Sequence, residues 1–414
     1  MEPIQVLALN SEWSSRKGGL STLNRELCIG LAVAGHKVVC YVPYATQTEI
    51  DNARNRKVDL IVAPDIPGLP LCCRLCLKPP GEFDPDVIIG HEHITGSAAH
   101  ALAEIYYPRA KRVFVIHTAP EEIEWPKNSE GSSARAHEKV KAQLERARKA
   151  DLTVTIGPRL HRKFEAPAYG AELRSPMHIL NPGCGDASQE KRKVIAEIQI
   201  LILGRAEDFE LKGLDLAIKA FAELKVSLEP KTSDCCVLIV RGAEAGKGDA
   251  LKQKLLAMQT GLPEHSVQVY EYSSDEGDMR SHLRQATMLL MPSKVEGFGL
   301  VGLEALSAGV PVLISASSGL AEVIRERLSS HADPMILTSS ADDDTCTKWA
   351  SRMKQIISDR EAANEHARFI RDKLSSCLRW EDSVSEFEKI LDAILHSEKA
   401  AGDPPGAPQV ATQA

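Results

Sequence analysis

Short apolar runs alternate with amphipathic stretches along most of this chain, and that alternation restricts the folds it can adopt. Residues 4–9 form an apolar run, a glycine turn follows, residues 20–31 carry leucines at helical spacing, and residues 37–43 form a second apolar run. A strand, a helix and a second strand in this order form a parallel pair with a helical crossover. The sequence therefore predicts an α/β fold built on parallel sheets.

The alternation occurs in two halves. The first half continues with apolar runs at 58–63, 86–91, 112–117 and 152–157. A segment rich in Pro, Gly and charge, residues 179–193, interrupts the pattern, which restarts with runs at 198–205, 235–242, 267–272, 286–293 and 311–316. Two such halves predict two doubly wound, Rossmann-like domains, residues 1–190 and 191–378, with ligands at the carboxyl ends of the strands.

Composition and charge exclude several classes of protein. The apolar fraction of 43% and the charged fraction of 26% are those of a globular protein with a sizeable core. A net charge of -7 argues against a broad basic face, so we expect no nucleic-acid partner. The start lacks the basic and apolar parts of a signal peptide, and no apolar run approaches the roughly 18 residues of a membrane span. We therefore expect a cytoplasmic protein with no transmembrane segment and with its ten cysteines reduced.

The last residues differ in composition from the rest. Residues 398–414 are rich in Pro, Ala and Gly, cannot bury much apolar area, and are predicted to be disordered. Such a tail fits a link to a further part of a larger multidomain protein.

Two clusters raise the question of a metal. Cys73 and Cys76 have the spacing of metal ligands, but a closed zinc site needs four, and His91 and His93 could join them only through the fold. A loop or edge with buried thiols is the favoured interpretation. The acidic run 342–344 precedes a helical stretch and is interpreted as an N-cap. We predict no metal and no cofactor.

The stretch that points most directly to a ligand is residues 293–311. A glycine-rich loop joins a strand to a helix here, and a helix N-terminus attracts anions. Glu296 and Glu304 flank the glycines; carboxylates repel phosphate but accept hydrogen bonds from sugar hydroxyls. A ligand with phosphates in the middle and a sugar at each end, a nucleotide sugar, satisfies both. Alternatively, the glutamates only cap the helix and the glycines only form a tight turn.

Two basic residues complete the pattern. Arg205 follows a strand and Lys212 precedes a helix, so both lie where a diphosphate would be bound, and together they could neutralise it without a metal. The alternative is a pair of solvated surface charges.

With these motifs the sequence resembles the family-four glycosyltransferases of the GT-B fold, the group of phosphatidylinositol mannosyltransferases and sucrose-phosphate synthases. The resemblance covers nearly all of residues 4–396. The segments that carry it are the E-x7-E motif at 296–304, the GR and KG pairs within 204–213, the glycine loop and helix at 18–38, the strand at 113–118 and the last helix at 379–394.

The resemblance implies two facing domains, an N-terminal one for the acceptor and a C-terminal one for the donor, with a helix at 379–397 that crosses back to the N-terminal domain. It implies that Arg205 and Lys212 hold the diphosphate, that Glu304 holds the ribose and that Glu296 holds the transferred sugar. The implied backbone contacts to the donor come from Gly297, Phe298, Gly299, Leu300 and Val301, and across the cleft from Gly18 and Gly19.

The implied activity is transfer of a sugar from a nucleoside-diphosphate sugar to an unidentified acceptor, with retention and without metal. His117 is implied to be catalytic together with Glu296, near the reacting carbon. His91 or His93 meets the acceptor, or both are hydrogen-bonded locally.

The sequence departs from the family pattern at two positions, so the resemblance does not predict the hinge or the base pocket. Gly185 stands where the family usually has an aspartate, and Arg241 stands where a small or apolar residue is commoner. A catalytically silent nucleotide-sugar-binding or interaction module is the alternative, and a sugar-nucleotide phosphorylase or epimerase is a weaker one.

Overall fold

The computed structural model describes residues 2–14, 19–124, 131–173, 175–185, 196–273, 276–340 and 342–396. Two parallel sheets organise the described part of the chain. The N-terminal sheet has seven strands in the order β3-β2-β1-β4-β5-β6-β7. These strands are β1 Gln5–Leu9, β2 Lys37–Val42, β3 Val58–Val62, β4 Val87–His91, β5 Lys111–Ile116, β6 Leu152–Ile156 and β7 Met177–Leu180.

Helices connect these strands. They are α1 Gly19–Val33, α2 Gln47–Asn55, α3 Leu71–Arg74, α4 Glu92–Ile105, α5 Pro120–Glu124, α6 Ser132–Arg148 and α7 Gly157–Gly170.

The C-terminal sheet repeats the arrangement with six strands in the order β10-β9-β8-β11-β12-β13. Its strands are β8 Ile198–Leu203, β9 Cys236–Ala243, β10 Val267–Glu271, β11 Met288–Met291, β12 Val312–Ser315 and β13 Ile336–Leu337. Its helices are α8 Leu214–Ser227, α9 Pro230–Asp234, α10 Gly248–Met258, α11 Glu276–Gln285, α12 Leu300–Ser307, α13 Gly319–Leu328, α14 Asp343–Ser358 and α15 Arg360–Cys377, and α16 Trp380–His396 ends the described chain.

Both sheets have the doubly wound topology that the alternation predicts. Their central strands are buried along their whole length, as expected for parallel strands covered by helices on both faces. In each sheet the strand order reverses once, between β1 and β4 and between β8 and β11, and ligands bind at such switch points. The predicted α/β class is confirmed. Strands β7 and β13 were not predicted, because one is a short edge strand and the other has two residues.

The last helix, α16, packs on the N-terminal half, as the resemblance implies. Val384 lies against Gly30 of α1. A Cβ added at position 30 would lie 2.5 Å from Cγ2 of Val384. Nε2 of His36 lies 2.8 Å from a carboxylate oxygen of Glu388. The returning helix is therefore confirmed. The boundary at 190/191 lies outside the described residues and stays a prediction, as does the tail at 398–414.

The two clusters considered for metal binding have local explanations. Cys73 lies in the short helix α3 and is exposed, so the expected buried thiol is wrong at this position; the helix runs along the surface rather than under a strand. Asp342 is the N-cap of α14 and accepts a hydrogen bond from the Thr345 amide at 2.8 Å, as predicted. Within the described ranges, no three His, Cys, Asp or Glu side chains are grouped to hold a metal.

None of the described helices is both long enough and apolar enough to cross a bilayer.

Candidate functional site

The loop between β11 and α12 lies at the switch point of the C-terminal sheet. Gly299, with a φ of 103°, is the N-cap of α12 and directs the chain into the helix. Glu296 and Phe298 are held by the next loop, since the Glu296 amide donates to Ser317 and the Phe298 carbonyl accepts from Leu320. The loop is thus fixed in shape before any ligand binds.

The backbone amides at the glycine-rich end of this loop, residues 297–301, have no partner in the described structure. The N–H groups of residues 297–301 donate to no described acceptor. Two of them, on Leu300 and Val301, belong to the first turn of α12, where helices leave their amides unpaired. Five adjacent donors at the positive end of a helix form a site suited to an anion. Glu304 lies one turn further along α12 and is half-buried.

A second loop, between β8 and α8, carries both predicted cations and brings one of them, Lys212, to Glu296. Nζ of Lys212 lies 2.6 Å from an Oε atom of Glu296, and the two side chains are about equally buried. Arg205 is half-exposed and pairs with Asp208 at 3.4 Å. The structure therefore brings together the lysine and the glutamate that are 84 positions apart in sequence.

The two loops are tightly joined. Gly213, with a φ of 68°, is the N-cap of α8, and a Cβ there would collide with the carbonyl group of Pro292. The Lys294 amide donates to the Leu211 carbonyl at 2.9 Å, and Nζ of Lys294 pairs with Asp215 at 3.1 Å. The packing at Gly213 and the backbone bond of Lys294 set the distance between Lys212 and the amides of residues 297–301.

The N-terminal half faces the same loop across the cleft. A Cβ on Gly297 would collide with the carbonyl oxygen of His117. A Cβ on Gly157 would lie 2.7 Å from the ring of Phe298. Gly19, at the start of α1, lies against Leu300; Gly18 lies outside the described residues. The cleft between the halves is narrow at the loop.

His117, which follows β5, is held by a half-buried carboxylate that the sequence did not reveal. Glu92 accepts hydrogen bonds from the amides of His117 and Thr118, at 2.7 and 2.9 Å, and from the Thr118 hydroxyl and Gln143. Burial raises the pKa of Glu92, although these hydrogen bonds act to lower it. The backbone at Glu92 has a φ of 47°, a strained value for a residue with a side chain.

The imidazole of His117 belongs to a chain of hydrogen bonds. Its Nε2 lies 2.9 Å from Nδ1 of His91, and Nε2 of His91 lies 2.8 Å from Oδ1 of Asn24 on α1. Burial lowers the pKa of His91 to about 3 and the pKa of His117 well below its usual value. His91 is therefore bonded locally, one of the two alternatives considered, whereas His93 is exposed in the first turn of α4.

No motif in the sequence pointed to three side chains that lie near the cleft. Asn24 and Glu92 lie on helical stretches and looked like ordinary polar positions. Tyr272, just after β10, carries a buried hydroxyl without a partner in the described structure, and burial raises the pKa of that hydroxyl. Arg241 is buried and pairs with Asp278 at 3.2 Å, which accounts for a charged residue at the end of β9.

Two facing Rossmann-like domains with a returning helix define a GT-B protein, and solved structures share this fold. Sucrose-phosphate synthase from Thermosynechococcus elongatus matches with a TM-score of 0.69 and 18% identity, over 96% of this chain and 100% of that one. HepE from Anabaena, solved in complex with UDP and glucose, matches with a TM-score of 0.64 and 16% identity, over 94% of this chain and 100% of that one.

Sequence similarity assigns the family. A model described as family 4 glycosyltransferase in conflict systems matches residues 7–387, and the chain belongs to this family. A D-inositol 3-phosphate glycosyltransferase of Acidothermus cellulolyticus is 25% identical over 260 residues, which make up 60% of this chain and 56% of that relative. The chain spans about half the length of the relatives that it matches.

Proposed function

We propose that this protein transfers a sugar from a nucleoside-diphosphate sugar to an acceptor, with retention of anomeric configuration and without a divalent metal. The observation that carries the proposal is the row of amides at residues 297–301 that have no partner in the described structure, next to the ion pair of Glu296 with Lys212. The names of the relatives support it, since one is a glycosyltransferase and another was solved with UDP and glucose.

In this proposal the amides, Lys212 and Arg205 bind the diphosphate. Glu304 holds the ribose on one side, and Glu296 holds the transferred sugar on the other. The ion pair between Lys212 and Glu296 adds a feature that the sequence did not predict. Donor binding replaces the carboxylate at Lys212 with a phosphate oxygen and releases Glu296 toward the sugar hydroxyls.

The chemistry follows from the charges. Glycosyl transfer passes through an oxocarbenium-like state, and negative charge grows on the departing diphosphate. Two cations and a helix N-terminus stabilise that negative charge where it develops. His117, kept neutral by burial, adds no positive charge beside the sugar. The narrow cleft excludes water and favours transfer over hydrolysis.

The test is release of nucleoside diphosphate from a panel of nucleotide sugars, measured with EDTA and with added Mg²⁺, and with candidate sugar and inositol-phosphate acceptors. We expect consumption of at least one donor in EDTA, and a product whose anomeric proton has the configuration of the donor in NMR.

Two outcomes contradict the proposal. Strict dependence on a divalent metal removes the metal-free mechanism. Binding of nucleotide sugars without any consumption, across donors and acceptors, replaces the transferase with a silent binding module.

A further inference from the structure

The series of hydrogen bonds from Asn24 through His91 to His117 fixes which nitrogen of His117 carries its proton. A neutral imidazole has one N–H group and one bare nitrogen, and the partner of one nitrogen decides the state of the other. His91 is 1% exposed and lies where the strand β4 ends. Its Nε2 faces the Oδ1 atom of Asn24, which can only accept, so the proton of His91 lies on Nε2.

The position of the proton on His91 decides the position of the proton on His117. With its proton on Nε2, His91 presents a bare Nδ1 to Nε2 of His117, 2.9 Å away. That nitrogen of His117 must therefore donate. The Nδ1 of His117 is left bare, and no described residue donates a hydrogen bond to it.

We propose that His91 and Asn24 are positioning residues that hold His117 as the Nε2–H tautomer, with Nδ1 turned into an acceptor for a hydroxyl of the bound sugar or of its acceptor. This inference rests on the proposed function for its catalytic meaning, but the tautomer itself is a property of the protein without ligand. Low pKa values of both imidazoles support it. A protonated His91 would donate from both nitrogens, and Nε2 of His117 would then have to accept.

The amide of Asn24 is held in the required orientation. Its Nδ2 group lies 3.5 Å from the sulfur of Cys40, a weak acceptor on β2. The backbone of His91 is fixed separately by Thr95, whose hydroxyl accepts from the His91 amide at 2.7 Å and donates to its carbonyl at 2.9 Å. Thr95 thus supports the same strand end and forms no hydrogen bond to either ring in the described structure, so it supplies a matched control.

The experiment measures the ¹⁵N shifts and long-range ¹H–¹⁵N couplings of the histidine rings in the ligand-free protein at neutral pH, with His117 assigned from the spectrum of His117→Gln. We expect the Nε2–H tautomer for His117 in wild type and in Thr95→Val. Asn24→Leu and His91→Phe should lose it as the dominant form.

Turnover is measured in parallel as nucleoside diphosphate release. Asn24→Leu and His91→Phe should lower kcat by on the order of tenfold, with the donor KM changed less than kcat. Thr95→Val should stay within about twofold of wild type if it folds, because tautomer control does not pass through its hydroxyl.

The outcomes separate this inference from the proposed function. An Nδ1–H tautomer of His117 in wild type overturns the inference whether or not any donor is consumed. A folded His91→Phe with wild-type kcat overturns the positioning role. The Nε2–H tautomer in a protein that consumes no donor overturns the transferase proposal instead.

Discussion

Single side chains decide where the charges of the cleft lie. Glu296 accepts from Lys212 in the ligand-free protein, whereas Glu304 lies on the far side of the unpaired amides. In the proposed complex, Glu296 therefore competes with phosphate for Lys212.

The two glutamates should respond differently to neutralisation. Glu296→Gln should bind nucleoside diphosphate as well as wild type or more tightly, because it removes a competitor for Lys212. Its kcat/KM should fall about 10- to 100-fold, the effect of a charge-assisted hydrogen bond of about 1.5–3 kcal/mol. Glu304→Gln should weaken the diphosphate itself. Calorimetry and turnover on both variants check this; equal losses of diphosphate affinity would contradict the division of roles.

The buried histidines predict a pH dependence of stability. The pKa of His91 falls from 6.5 to about 3 on folding. The unfolded chain therefore binds more protons between these values, and stability present above pH 6.5 is lost as the pH falls. Between pH 7 and 5 the loss from His91 is about 2 kcal/mol.

The measurement is the free energy of unfolding at several pH values for wild type and His91→Gln. Glu92, whose pKa is raised by burial, acts with the opposite sign but is present in both proteins. We expect a shallower slope for the variant, and identical slopes would show that His91 is not buried in its neutral form.

At the scale of elements, the loops that carry the cations and the amides depend on each other. Gly213 has both a positive φ and a backbone carbonyl where its Cβ would lie. Gly246 has a similar φ of 74° but open space around it. Alanine variants at Gly213 and Gly246 therefore separate the cost of a left-handed backbone from the cost of a steric collision.

Gly246→Ala should cost about 1–2 kcal/mol of stability, the strain of a left-handed residue. Gly213→Ala should cost about 1–3 kcal/mol more, as overpacking does, and should weaken nucleoside diphosphate binding because Lys212 moves with it. Chemical denaturation and calorimetry measure both effects. Equal costs for the two variants would mean that the loops adjust freely.

The sequence predicted elements better than contacts between them. Apolar periodicity located the central strands, and the glycines with Pro311 located the ends of α12. Periodicity reports local burial but does not say which strand ends meet. The bond between His91 and Asn24 spans 67 positions, so no local pattern revealed it. The strained backbone of Glu92 was hidden as well, because a glutamate gives no sequence signal for a positive φ.

At the scale of the molecule, the two halves meet at the loop between β11 and α12. Gly157, with a φ of 78°, lies against the ring of Phe298 from the other half. Gly81 has a φ of 91° with no atom near its missing side chain. Gly157→Ala should therefore push the loop between β11 and α12 away from His117, whereas Gly81→Ala adds backbone strain alone.

We expect Gly157→Ala to lower kcat/KM by on the order of tenfold relative to Gly81→Ala, since small misplacements at a reacting centre are costly. Thermal unfolding of both variants controls for strain. Equal turnover would show that contact between the halves at this point does not matter.

The central claim is that the unpaired amides of 297–301 and Lys212 bind a diphosphate without metal. Calorimetric titration of wild type, Lys212→Ala and Lys294→Ala with a panel of nucleoside diphosphates in EDTA tests it most directly. Lys294 is the matched control, because it lies in the loop between β11 and α12 and its side chain is ion-paired to Asp215 rather than to Glu296. We predict that wild type and Lys294→Ala bind at least one diphosphate alike, and that Lys212→Ala binds it about 1.5–3 kcal/mol more weakly. No binding in EDTA by wild type, or equal affinity for all three proteins, would contradict the account.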